Sequence, residues 1–148
     1  MSKHILLNIS YSTTRRLYKI KSNKNYLKKR SKKIKKKNLK DKIEGGLRFK
    51  NLFKKSELEK PLISIVTVTY NCRNLLERTI RSVLNLSYDN VEFIIVDGGS
   101  TDSTLNVIKK YNNYIDFWIS QKDSGIYNAM NKGSKFSNGD MLFFLNAG

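Results

Sequence analysis

The sequence predicts an α/β fold, a parallel sheet flanked by helices, and three observations carry that reading. Runs rich in β-branched residues alternate with segments of helical period, each run empties into a polar junction, and the charge is confined to one end of the chain. Alternating strands and helices with short connections favour a parallel sheet wrapped by its crossovers. Ligands of such sheets bind outside the carboxyl ends of the strands.

The first strand is Leu62-Ile63-Ser64-Ile65-Val66-Thr67-Val68, opened by Pro61, the lone proline. Asn71 has the chemistry of an N-cap for a helix from about Cys72 to Asn85, with Leu75, Leu76, Thr79, Ile80 and Val83 inward and Arg73, Glu77, Arg78 and Arg81 in water. Val91 to Val96 is the second strand. Ser100-Thr101-Asp102 caps a helix running to about Tyr111, which carries Leu105 and Ile108 inward. A short strand lies around Asp116-Phe117-Trp118-Ile119, a short helix spans Gly125 to Lys132, and Met141 to Leu145 is the last strand.

Of the 29 Lys/Arg and 12 Asp/Glu, residues 1–60 hold 21 and 4, so the formal net charge of +17 belongs to that stretch and residues 61–148 are neutral. Residues 1–60 read as a basic, Lys-rich leader, mobile or partly helical, since like-charge blocks repel and stay solvated. Leu27, Ile34, Leu39 and Ile43 supply a ragged apolar stripe at most. Its partners by charge are, in order of weight, none, an anionic membrane surface reached through residues 19–42, and non-specific nucleic acid. The tyrosine spacing resembles no base-stacking platform, so nucleic acid ranks last. Cys72 is the only cysteine and His4 the only histidine, which excludes a disulfide framework and Cys- or His-based metal clusters and agrees with a reducing cytoplasm. No apolar run reaches the roughly 18 residues of a membrane span, and Ile5-Leu6-Leu7 is too short for a signal-peptide core.

The junctions hold the candidate chemistry. Asp97 ends a buried strand, where it either accepts hydrogen bonds from a base imide or ribose hydroxyls or merely caps the Gly98-Gly99 turn. Gly98-Gly99 admits close backbone approach, but neither a Gly-x-Gly-x-x-Gly fingerprint nor a Walker lysine is present. Asp102 reads as a helix cap. Tyr70 lies against a base or packs, and Asp123 is a loop carboxylate in Gln121-Lys122-Asp123-Ser124-Gly125. No Ser/His/Asp set and no well-placed carboxylate pair emerges.

Four motifs in order resemble the family 2 glycosyltransferases of GT-A fold: Pro61 to Asn71, Val96-Asp97-Gly98-Gly99-Ser100-Thr101-Asp102, Asp123-Ser124-Gly125-Ile126-Tyr127-Asn128-Ala129-Met130-Asn131-Lys132-Gly133, and Gly139 to Gly148. The resemblance covers about residues 61–148, which it identifies as the N-terminal part of a GT-A domain, a Rossmann-like nucleotide-diphospho-sugar transferase fold incomplete at its C-terminus. It implies a nucleotide-sugar donor, usually a UDP-sugar, and a divalent Mn²⁺ or Mg²⁺ on the diphosphate, neutralising the charge that develops on the leaving group. It further implies inverting transfer to a saccharide or lipid-linked acceptor in cell-surface polysaccharide synthesis; the cysteine usage and the charge of residues 19–42 add a cytoplasmic location peripheral to the inner face of the membrane. By position, Thr67 and Tyr70 would line the base pocket, Asp97 would bind the base, Asp123 would sit near the nucleoside, and Asn146 to Gly148 would fall at the metal-binding Asp-x-Asp motif.

The chain departs from that pattern at Gly98 and Met130, where many members carry Asp and Arg, and at Asn146 and Gly148, which replace both motif carboxylates. The catalytic base and acceptor site are expected beyond Gly148, so weak or absent turnover is expected of these residues, along with a self-associating apolar strand at Met141–Leu145. The alternatives are a free-standing nucleotide-binding module and a basic nucleic-acid-associated protein.

Overall fold

The computed structural model describes residues 11–19 and 41–147. In chain order these form β1 (Tyr18–Lys19), β2 (Ile43–Gly45), a 3₁₀ turn (Leu47–Lys50), β3 (Leu52–Phe53), β4 (Ile63–Thr69), α1 (Arg73–Leu84), β5 (Val91–Asp97), α2 (Thr104–Lys110), β6 (Phe117–Ser120), α3 (Ile126–Phe136) and β7 (Met141–Phe144).

Five strands make the main sheet in the order β2-β6-β5-β4-β7, and a separate ribbon pairs β1 with β3. β6, β5, β4 and β7 run parallel, with Thr69 opposite Asp97 and Asp97 opposite Ser120 at their carboxyl ends. The α/β fold with a parallel sheet flanked by helices therefore stands as the strand and helix patterns predict. β5 and β6 lie on one side of β4 and β7 on the other, so the strand order reverses at β4, the arrangement that opens a crevice at the carboxyl edge.

The period-two alternation of the strands divides the core. Ile65, Phe93 and Ile95 pack under α1 and α2 with Leu76, Ile80, Val83 and Ile108, whereas Val66, Val68, Ile94 and Val96 pack under α3 with Phe117, Ile119 and Ala129. Gly133 lets α3 lie directly on β4, because a Cβ there would stand 2.3 Å from Val66 Cγ1. The helix runs on through Gly133 to Phe136, past the end expected at Lys132.

Two helix details differ from the sequence reading. Leu75 is exposed, and the inward stripe is Leu76, Ile80, Val83 and Leu84, the i, i+4, i+7, i+8 face that α1 docks on the sheet. Asn71 does not cap α1: it stands in left-handed geometry (φ 48), and its side-chain Oδ1 accepts from the Thr101 and Asp102 backbone N–H groups at 2.8 and 3.3 Å. It thereby ties the first polar junction to the second.

The largest correction concerns the leader. Residues 1–10 and 20–40 lie outside the described residues, but residues 11–19 and 41–60 fold onto the domain, so a mobile or helical leader ending at residue 60 does not describe them. β2 pairs antiparallel with β6 and extends the sheet. Ser12 donates from its N–H to the Leu84 carbonyl at 2.9 Å and from its hydroxyl to the Val83 carbonyl at 2.6 Å, closing the C-terminal end of α1. The physical reason is charge pairing. Arg48, 3% exposed, meets the carboxylate of Glu92, 2% exposed. Lys54 Nζ lies 2.6 Å from Asp116 Oδ2. Two of the basic residues thus neutralise carboxylates that the sheet could not otherwise bury.

β7 is an edge strand in the described residues, bonded only to β4. Its residues Met141, Leu142, Phe143 and Phe144 are 40–53% exposed. Among the described residues no helix is long and apolar enough to cross a membrane.

Candidate functional site

The carboxyl ends of β4, β5 and β6 and the start of α3 enclose a cavity of about 390 Å³ lined by Val68, Thr69, Tyr70, Gly98, Lys122, Asp123, Gly125, Ile126 and Ala129. Tyr70 is exposed at its mouth. The first two junctions are laced together behind it: the Asn71 N–H donates to Ser100 Oγ at 2.8 Å, and the Gly98 N–H donates to the Thr69 carbonyl at 2.9 Å.

Thr69, Tyr70, Gly98 and Asp123 meet at this cavity, and two expected residues do not. Thr67 is fully buried and shares the strand parity of Ile65, so the alternation of β4 turns it toward α1 and α2 and gives its expected place to Val68. Asp97 is likewise fully buried. Its Oδ2 accepts the Ser100 N–H at 3.0 Å and the Ser120 hydroxyl at 2.6 Å, while Oδ1 accepts the Ser100 hydroxyl. Of its two sequence readings, the observed hydrogen bonds are those of the turn cap. Asp102 caps α2, with Oδ1 accepting the Thr104 N–H at 2.8 Å, and its bonds to Thr104 hold its pKa below the usual carboxylate value.

Asp123 differs from both. Its Oδ1 accepts the Gly125 N–H at 2.9 Å at the entrance to α3. Oδ2 is shielded from solvent and has no hydrogen-bond donor among the described residues. A Cβ on Gly98 would lie 3.2 Å from that oxygen and 3.4 Å from Tyr70 Cδ2, so a side chain at 98 would crowd the carboxylate and lie against the ring. Thr69 Oγ1 is also shielded and without a partner. Half-buried Lys132 completes the electrostatics: burial lowers its pKa, and the Asp123 charge opposes that shift. Unsatisfied polar atoms in a cavity wall are uncommon and call for a ligand or water.

Val68, Ile126 and Ala129 line the wall without a sequence motif that assigns them there. Strict alternation from Ile65 would have found Val68; the rest depend on how α3 docks, which no local signal encodes.

The expected metal positions do not fit a divalent cation. Asn146 is exposed beyond β7 and offers only a neutral amide oxygen, and Gly148 lies outside the described residues. Among the described residues no group of three His, Cys, Asp or Glu side chains converges on a cation position, whereas such ions are held by clustered carboxylate oxygens. Ala147 is fixed instead by Cys72, whose Sγ–H donates to its carbonyl at 3.3 Å.

The sequence profile described as glycosyl transferase family 2 matches residues 64–147. An uncharacterized glycosyltransferase of Mycobacterium tuberculosis is 35% identical over 88 residues, covering 59% of this chain and 34% of its own length. The putative teichuronic acid biosynthesis glycosyltransferase TuaG of Bacillus subtilis is 36% identical over 91 residues, covering 60% of this chain and 36% of its own. The chain thus spans about a third of the length of these relatives. Among solved structures, the mannosyltransferase PcManGT of Pyrobaculum calidifontis, in complex with GDP-Man and Mn²⁺, superposes with a TM-score of 0.56 at 21% identity, over 60% of this chain and 28% of that one. At that identity the likeness speaks for the fold, which is the GT-A architecture.

Proposed function

The chain belongs to glycosyl transferase family 2, and on that premise we propose that it forms the donor-nucleotide part of an enzyme that moves a sugar from a nucleotide-sugar, a UDP-sugar first among candidates, to a saccharide or lipid-linked acceptor. The named role of TuaG in teichuronic acid biosynthesis supports a cell-surface polysaccharide as the product class. Inversion at the transferred carbon is part of the same proposal and rests on the family alone.

One observation carries the reading: the cavity at the carboxyl edge, with Tyr70 at its mouth and an unpaired Asp123 oxygen in its wall. In this assignment Tyr70 and Asp123 contact the nucleoside. Thr67 and Asp97 act behind the wall, Asp97 by holding the Gly98 turn in place through Ser100 and Ser120. The described residues supply no carboxylate set for a divalent cation. Anionic-membrane contact through residues 19–42 remains part of the proposal on charge alone.

Retention of radiolabelled UDP-sugar by the 148-residue chain, with unlabelled UDP as competitor, tests the assignment. Retained label displaced by UDP is expected. No retention at millimolar nucleotide, by a chain that melts cooperatively, would overturn it.

A further inference from the structure

We propose that Asp123, and not the strand-end Asp97, is the residue that selects the nucleobase, and that Gly98 is the residue that lets it do so. The inference rests on the donor-nucleotide reading above and deepens it.

Position by position, the walls of the cavity leave one carboxylate free to read a ligand. Asp97 is spent, with both oxygens engaged by Ser100 and Ser120 and its surface fully buried. Asp123 is half spent: the Gly125 N–H fixes Oδ1 and thereby the orientation of the carboxylate, leaving Oδ2 shielded and without a donor. A shielded carboxylate oxygen without a hydrogen bond is costly, and a ligand N–H removes that cost.

Gly98 sets the geometry. A Cβ there would stand 3.2 Å from Asp123 Oδ2, closer than ordinary contact, and 3.4 Å from Tyr70 Cδ2, so Gly98 borders both the ring and the carboxylate. A side chain at position 98 would therefore crowd the Asp123 carboxylate, and one longer than a methyl group would reach into the space that carboxylate faces. A flat ring that enters at Tyr70 passes over Gly98 and presents its edge to Asp123.

The chemistry of that edge follows. An acceptor-only carboxylate oxygen pairs with a ring N–H, as in uracil N3–H or guanine N1–H. It repels a ring nitrogen lone pair, as in cytosine N3 or adenine N1. The cavity thus favours bases carrying an imide- or lactam-type ring N–H, whichever of the two supplies it.

Calorimetry of the 148-residue chain with UDP, GDP, CDP and ADP tests this. UDP, GDP or both should bind more tightly than CDP and ADP by about tenfold or more, the worth of one hydrogen bond to a charged group. Asp123→Asn keeps an oxygen for the Gly125 N–H and turns an amide N–H₂ toward the ligand. It should weaken the ring-N–H nucleotides by about tenfold or more and leave CDP and ADP undiminished. Gly98→Ala should weaken all four together, because it narrows the slot without altering its acceptor. The reciprocal Gly98→Asp/Asp123→Gly double substitution should recover part of the preference that Asp123→Gly alone loses.

If the unaltered chain binds nucleotides but Asp123→Asn leaves their order unchanged, the base-selection proposal is wrong and the donor-nucleotide reading survives. If no nucleoside diphosphate binds the folded chain, both fall. Should Asp123→Asn lose its cooperative melt, Gly98→Ala decides: undiminished affinity for every nucleotide would overturn the proposal.

Discussion

The two edges of the parallel sheet handle their carboxylates in opposite ways. At the amino edge, Glu92 has both oxygens engaged, by Arg48, by the Ser64 hydroxyl at 2.7 Å and by the N–H and side-chain amide of Asn138 at 2.8 and 3.1 Å. Asp116 beside it holds Lys54 and the Phe93 N–H. At the carboxyl edge, the Asp123 Oδ2 and Thr69 Oγ1 atoms are shielded and lack partners. Saturated polar groups fix a fold; unsaturated ones in a cavity wall wait for a ligand. By that criterion the basic residues near the N-terminus act at the amino edge as part of the scaffold, and recognition belongs to the other edge.

Removing a cation from the amino edge should give the largest effect. Arg48→Ala leaves Glu92 buried without its counter-charge and also loses the guanidinium bond to the Phe136 carbonyl at 2.6 Å. The expected destabilisation is about 3–5 kcal/mol, read from urea unfolding. A loss below about 1 kcal/mol would mean the amino edge is as loosely held as a surface pair, and the contrast between edges would break. The pH dependence carries the same test. Burial pushes Glu92 up, but Arg48, Ser64 and Asn138 outweigh it and hold its pKa below the ordinary 4.5. A depressed folded pKa means its contribution is present above the unfolded value and is lost as pH falls through the folded one. Stability should therefore drop on acidification below about pH 4.5, and less so in Glu92→Gln.

Asp97 sharpens the contrast within the carboxyl edge itself. Asp97→Asn turns an amide N–H₂ toward the Ser100 and Ser120 donors, and should cost about 1–3 kcal/mol of stability while leaving nucleobase preference as it was. Asp123→Asn should do the reverse. Denaturation curves and calorimetry on the same two variants separate the roles; a shifted base preference in Asp97→Asn would make both carboxylates readers.

β7 tests whether exposure alone matters. Phe144→Lys replaces a ring that is 45% exposed on an edge strand, where a lysine blocks strand-to-strand pairing. Stability should change by no more than about 0.5 kcal/mol, while light scattering at high protein concentration falls. Unchanged scattering would show that self-association does not run through this edge.

How much of this was legible beforehand differs between the edges for physical reasons. Strands and helices announce themselves through local periodicity, so β4, α1, β5, α2, β6, α3 and β7 were readable within a few residues. Buried ion pairs do not: Arg48 and Glu92 are far apart in the chain, and a lysine-rich stretch looks solvated until its partners are placed. The site was half legible. Tyr70 and Asp123 could be named from motifs, but a strand-end aspartate looks the same whether its oxygens face a ligand or two serines. The importance of Gly98 lies in a side chain that is absent, and only the distances to Tyr70 and Asp123 disclose it.

Glu77 supplies the remaining case, a carboxylate with three donors on its Oε1 yet facing water. It accepts from Lys110 Nζ at 2.8 Å, the Tyr111 hydroxyl at 2.9 Å and Arg81 at 3.3 Å, clasping α1 to α2. Those hydrogen bonds, Lys110 first and Tyr111 next, lower its pKa to about 2. With the folded value depressed, its contribution is present above the unfolded value near 4.5 and fades as pH falls toward about 2. Solvent and salt screen such a cluster. Glu77→Gln should therefore shift the melting temperature least of all these variants, and the shift should shrink further when salt is raised at neutral pH. If it instead rivals Arg48→Ala, hydrogen bonding alone, without burial, would be enough to make a carboxylate structural, and the distinction between the two edges would have to be drawn on hydrogen bonding only.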